Sequence, residues 1–127
     1  MGDRQIQIST GNLTLAATLN ELETANQLWE RLPITGRVQI WGDEIYFSIP
    51  LNVEEELGSQ ETVQAGTVAY WPPGSALCLF WGPTPISAPG EIRPASAVNV
   101  VGILDNDPNL LAEVPSQAEI IIEKIEG

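Results

Sequence analysis

Residues 66–85 read GTVAYWPPGSALCLFWGPTP, and this stretch decides the fold. It predicts a strand over Thr67 to Tyr70, a rigid turn at Pro72-Pro73-Gly74, and a second strand from Ala76 to Trp81. Gly82-Pro83-Thr84-Pro85 then breaks the pattern. Side chains on a strand alternate between its two faces. Leu77, Leu79 and Trp81 therefore share one side, and Ala76, Cys78 and Phe80 share the other. Neither side is polar, so the strand must be covered twice. One cover is a hydrophobic core. The other is either a helix or a groove that takes a ligand, and this choice is the functional question.

The surrounding chain sets limits on the answer. Its 127 residues suit one domain with a single core, and 43% of them are apolar, too many for disorder. No run approaches the roughly 18 to 20 apolar residues of a membrane span. The N-terminus, MGDRQIQIST, lacks the apolar run of a secretory signal, so a cytoplasmic protein is expected. The net charge is −12, from 17 acidic and 5 basic residues. Such a surface repels phosphate backbones and anionic lipids and keeps the protein soluble; neither nucleic acid nor membrane is an expected partner. The chain has one cysteine and no histidine. An internal disulfide, Ser-His-Asp or Cys-His catalysis and a His-ligated metal site are therefore all ruled out. Cys78 reads as a small core residue with no basic neighbour in sequence to activate it.

On the N-terminal side, Gln5 to Ile8 and Leu13 to Leu19 alternate around a Gly11-Asn12 turn and predict a hairpin. Asn20 and Glu23 have the spacing of a helix cap, and Leu22, Ala25, Trp29 and Leu32 form an apolar stripe at helical period. A helix over about 22–32 follows, ended by Pro33. Strands are predicted over Ile34 to Trp41 and Glu44 to Ile49, joined by the two-residue turn Gly42-Asp43. Here Val38, Ile40, Ile45, Phe47 and Ile49 face the core. Arg37, Gln39, Trp41, Glu44, Tyr46 and Ser48 face away. Trp41 and Tyr46 thus stand among polar groups outside the core, either as a recognition surface or under a covering loop.

Glu54-Glu55-Glu56 reads as a solvated face rather than a metal cluster. On the C-terminal side, Ile86 to Ser96 is a long loop of the kind that often carries function. Arg93, its one cation, either clamps an anion or pairs with surface carboxylates. Val98 to Leu104 is a buried strand. Asp105 to Asn109 begins like a calcium loop, but Leu110 and Ser116 stand where glycine and glutamate belong, so Asp107 and Pro108 are read as a helix start, with a short helical turn near 108–113. Gln117 to Ile125 is the last strand. About eight mostly antiparallel strands, several apolar on both faces, predict an all-β closed barrel.

ETANQLWERLPI, WGDEIYFSIP, AYWPPGSALCLFWGPTP and RPASAVNVVG together resemble the small bacterial and archaeal cyclophilin-like proteins over nearly the full length. The resemblance implies one domain over 1–127, a cyclophilin-type antiparallel β-barrel filled by side chains, and ligands docked on its outer wall. Similarity to true peptidyl-prolyl isomerases is weaker. Those enzymes carry a catalytic arginine in the region that matches Gly42 to Pro50, where this chain offers Tyr46 and Phe47 and no arginine.

The leading expectation is a binding module for a small molecule or extended peptide, with no cofactor, no metal and no catalytic residue assigned. The expected lining is Trp41, Glu44, Tyr46, Tyr70, Trp71, Phe80 and Arg93. A weak prolyl isomerase is the first alternative. The second is a partner-binding role, since similar domains occur in subunits of bacterial amide-hydrolysing enzymes; a protein partner or a homo-oligomer fits that case. A conventional hydrolase is poorly supported, because Asp43 and Glu44 are adjacent and point to opposite faces.

Overall fold

The computed structural model describes residues 4–125. Nine strands form one sheet: β1 (Arg4–Thr10), β2 (Leu13–Leu19), β3 (Ile34–Arg37), β4 (Gln39–Ile40), β5 (Glu44–Ser48), β6 (Thr67–Trp71), β7 (Ala76–Phe80), β8 (Asn99–Leu104) and β9 (Glu119–Ile125). Their order is β3-β9-β1-β2-β8-β6-β7-β5-β4, and all neighbouring strands in it run antiparallel. The two ends of that order, β3 and β4, are consecutive in the chain. One bent segment thus pairs with β9 on one side and β5 on the other, and the sheet curls into a nearly closed barrel. The bend falls at Val38, fully buried and bonded by its backbone to Gln117 and Ala118. This bend is why nine strands appear where about eight were expected: Ile34 to Trp41 is two short strands rather than one.

The alternation places the core as read except at Ile40, which was expected to face inward and is 38% exposed, because the bend at Val38 breaks the strand before it. Ile6, Ile8, Leu15, Ala17, Leu19, Ile45, Phe47, Leu77, Leu79, Ile120 and Ile122 fill the barrel interior. On β7 the opposite face, Cys78 and Phe80, is also buried, and packs with Ala69 and Val98 in a second cluster outside the barrel wall. The second cover is therefore neither a helix nor an open groove alone. It is a layer of loop, with a cleft left in it.

Helix α1 (Glu23–Arg31) is capped differently from the expectation. Its N-cap position is Leu22, with no side-chain bond of its own. Asn20 bonds instead to the Leu22 N–H and to the Val100 carbonyl. Glu56 accepts from both the backbone N–H and the hydroxyl of Thr24, so an acidic side chain from a distant loop satisfies the helix start. Buried Asn99 ties this junction together, donating to Thr24 Oγ1 and the Glu54 carbonyl and accepting from the Glu56 N–H. Glu56 is thus not part of a merely solvated run. The helix buries Thr24, Ala25 and Leu28, while Leu22 is 40% exposed, so the inward stripe is rotated from Leu22/Ala25/Trp29/Leu32. Asp107 does cap the short 3-10 turn Pro108–Glu113, accepting from the Asn109 N–H.

Candidate functional site: an aromatic cleft over a buried carboxyl

The hairpin between β4 and β5 turns at Gly42, whose φ of 62° is the left-handed geometry that glycine adopts without strain. The Trp41 N–H donates to the Glu44 carbonyl at 2.9 Å across the turn. The tip is docked onto the chain beyond β7. A Cβ on Gly42 would lie 2.8 Å from Pro85 Cδ and 2.9 Å from Thr84 Cα. The Asp43 N–H donates to the Pro83 carbonyl and the Trp81 N–H to the Asp43 carbonyl, each at 3.0 Å.

The following loop is held as firmly. Thr84, nearly fully buried, donates its hydroxyl hydrogen to the Arg93 carbonyl. Ser87 Oγ accepts from the backbone N–H of both Thr84 and Arg93 at 2.9 Å. Ile92 bridges to Val63 and Val98 to Gln60. The loop then runs back across the outer face of the sheet, bringing Pro94 and Ala95 over β5 and β7.

Register explains what lies beneath. Glu44 pairs with Phe80 and Tyr46 with Cys78, so all four point to the outer face. Trp71 ends β6 beside Ala76. Its indole Nε1 donates to Ser96 Oγ at 2.7 Å, and its six-membered ring covers Gly74 so closely that a Cβ there would meet Cζ3 at 2.5 Å. These groups enclose a cleft of about 210 Å³ lined by Trp41, Glu44, Tyr46, Trp71, Cys78, Pro94, Ala95 and Val98.

Glu44 is the unusual member. It is 5% exposed, and its Oε1 has no hydrogen-bond partner. Burial raises its pKa from 4.5 to about 7, outweighing the opposing hydrogen bond from the Cys78 thiol. The same burial, with the Glu44 charge next to it, pushes the Cys78 thiol well above its ordinary value, so it is not an activated nucleophile. A carboxyl group that changes charge near neutrality, walled by aromatic rings, can donate or accept a hydrogen bond according to pH. Among the described residues no group of three or more Cys, Asp or Glu side chains could hold a metal ion.

The structure brings Trp41, Glu44, Tyr46 and Trp71 together in the cleft and separates the other three expected residues from it. Tyr70 points inward, because it alternates with Trp71. It is fully buried in the barrel core, where its hydroxyl donates to the Leu51 carbonyl at 2.7 Å and accepts from the Val53 N–H at 3.2 Å. Phe80 is on the outer face but 0% exposed, part of the second cluster rather than a wall of the cleft. Arg93 bonds to Glu91 at 2.8 Å and reaches Glu61 at 3.9 Å, which is the surface pairing rather than an anion clamp. Cys78, Pro94, Ala95 and Val98 were not expected as lining. Cys78 was detectable in principle, since the strand register sets it opposite Tyr46. The loop residues carry no periodic signal.

The Cyclophilin-like family model matches residues 4–123. The chain belongs to the cyclophilin-like family. Its fold is similar to the solution structure of a hypothetical protein from Archaeoglobus fulgidus, at 38% sequence identity and a TM-score of 0.82, covering 97% of this chain and 95% of that one. A search of curated proteins found no match. The cyclophilin-like barrel thus stands on sequence and structure together. No helix among the described residues is long and apolar enough to cross a membrane.

Proposed function

We propose that this cyclophilin-like protein is a binding module for a small organic molecule, seated in the cleft between the outer face of β5 and β7 and the loop that carries Pro94 and Ala95. The observation that carries the reading is a buried carboxyl oxygen without a partner, on a residue that lines a cleft walled by three aromatic side chains. Buried polar groups are almost always paired, and an orphan in a recess is a group that a guest can satisfy. Cleft volume sets the size of the guest. A cavity of about 150 Å³ takes benzene, so this one suits roughly eight non-hydrogen atoms. That favours a small molecule over an extended peptide, which needs a longer trough. The cleft lining includes no guanidinium, which weighs against prolyl isomerisation through an arginine.

Labelling with 5-fluorotryptophan tests the proposal. The four tryptophans report separately by fluorine NMR, and only Trp41 and Trp71 line the cleft. In a screen of fragments of about this size, hits that move the Trp41 and Trp71 signals while leaving Trp29 and Trp81 in place support the site. Hits confined to Trp29 or Trp81 reject it.

A further inference from the structure

We propose that the guest of this cleft is a small organic cation with N–H donors, of the amidinium, guanidinium or protonated-amine class, held between the aromatic rings of Trp41, Tyr46 and Trp71 and the Glu44 carboxylate. The inference rests on the cleft being the binding site and adds the chemistry of the ligand.

Three observations converge on it. Glu44 has one carboxyl oxygen unpartnered, and in the ionised form that oxygen can only accept, so the group it lacks is a donor. Aromatic faces carry negative charge and attract cations within about 6 Å of the ring centre. This chain already uses that interaction: Trp29 lies under Lys124 at 5.0 Å and under Arg4 at 5.8 Å. No such cation is found over Trp41 or Trp71 among the described residues. The chain's five cationic side chains are all occupied elsewhere. Arg4 and Lys124 cover Trp29, Arg31 donates to the Pro50 carbonyl, Arg37 to the Gln117 carbonyl, and Arg93 pairs with Glu91 and Glu61. The cleft is therefore an acid-and-aromatic site without an internal cation, on a protein of net charge −12 that draws cations toward its surface. Residue 71 is also held in place before any guest arrives, by Ser96 and by the flat seat at Gly74.

The proposal gives a signed pH dependence. The other ionisable side chains lining the cleft are the Cys78 thiol on β7 and Tyr46 on the same strand as Glu44; the Arg93–Glu91 pair belongs to the covering loop and is not part of the lining. Burial keeps the Cys78 thiol protonated well past neutrality, and Arg93 holds Glu91 below the usual carboxylate range. The group that changes charge near neutrality is Glu44. A cation binds its ionised form, so affinity rises with pH and levels off above about 7. A neutral guest that accepts a hydrogen bond from the protonated form shows the opposite slope.

Benzamidinium and its neutral isostere benzamide separate these cases. Each is titrated into the protein from pH 5 to pH 8, followed by calorimetry and by the fluorotryptophan signals. For a site governed by one group of pKa about 7, the benzamidinium dissociation constant falls by about 90-fold over that range. Glu44→Gln keeps the shape and removes the charge, and is expected to weaken benzamidinium at pH 8 by tenfold or more while leaving benzamide within about twofold. A flat or falling pH response overturns the cation inference. So does benzamide binding as tightly as benzamidinium, or Glu44→Gln retaining full benzamidinium affinity. In each of those cases, continued shifts at Trp41 and Trp71 leave the cleft itself standing as the binding site. Binding of benzamidinium that moves Trp29 alone overturns both.

Discussion

Replacing Glu44 by glutamine should stabilise the protein, and only above a particular pH. Burial lifts the Glu44 pKa from 4.5 to about 7, a difference of roughly 2.5 units. At 1.36 kcal/mol per unit, this is about 3 kcal/mol. The sign follows from linkage. Below about pH 4.5 the group is protonated whether the chain is folded or unfolded, and it imposes no charge penalty. As pH rises to 7 the unfolded chain releases this proton while the folded one still holds it, so folding stability falls. Above 7 the folded protein carries a buried, poorly solvated carboxylate, and the full cost is present. Glutamine has the same shape and never ionises. The two proteins should therefore match to within about 1 kcal/mol at pH 4.5, and the variant should be more stable by about 3 kcal/mol at pH 8. For a chain of 127 residues this corresponds to a rise in Tm of roughly 10 °C. Urea unfolding, followed by tryptophan fluorescence across the pH series, measures the difference directly. The many exposed carboxylates cancel in the comparison, because both proteins have them. Parallel stability curves from pH 4.5 to 8, or a variant less stable at pH 8, would refute the reasoning; the carboxylate would then be well solvated or paired in the folded state.

Three further outcomes follow from the geometry. Gly74→Ala places a methyl group against the six-membered ring of Trp71, which is expected to displace the indole from Ser96, shift its fluorescence and weaken cleft binding by more than tenfold, while the fold measured by circular dichroism persists. Tyr70→Phe removes the bond to the Leu51 carbonyl and leaves the Val53 N–H without its acceptor; denaturation should show a loss of about 1–3 kcal/mol with no change in cleft binding. Glu56→Gln weakens the cap on helix α1 at Thr24, and a destabilisation of about 1–2 kcal/mol is expected, together with faster hydrogen exchange in the first turn of that helix alone.

Much of the barrel is legible in the sequence because strand alternation is local. Leu77 and Leu79 point one way, Cys78 and Phe80 the other, and no distant contact is needed to say so. The same rule placed Trp41, Glu44 and Tyr46 on the outer wall, which is where the cleft formed. It also assigns Tyr70 inward, opposite to Trp71; grouping the two as neighbouring aromatics set that alternation aside. Helix capping was less legible. Asn20 and Glu23 had suitable spacing, but Glu56 offers a better-placed carboxylate, and spacing along the chain cannot show which acceptor arrives first in space.

The character of the site was a matter for tertiary structure alone. Whether Glu44 sits in water or out of it depends on the loop from Gly82 to Ala97 folding back over β5 and β7, fastened by Thr84 and Ser87. Ionisation depends on the dielectric surroundings of the group, and those surroundings come from segments far apart in sequence. A string of residues determines which way each side chain faces; only the folded chain determines what stands in front of it.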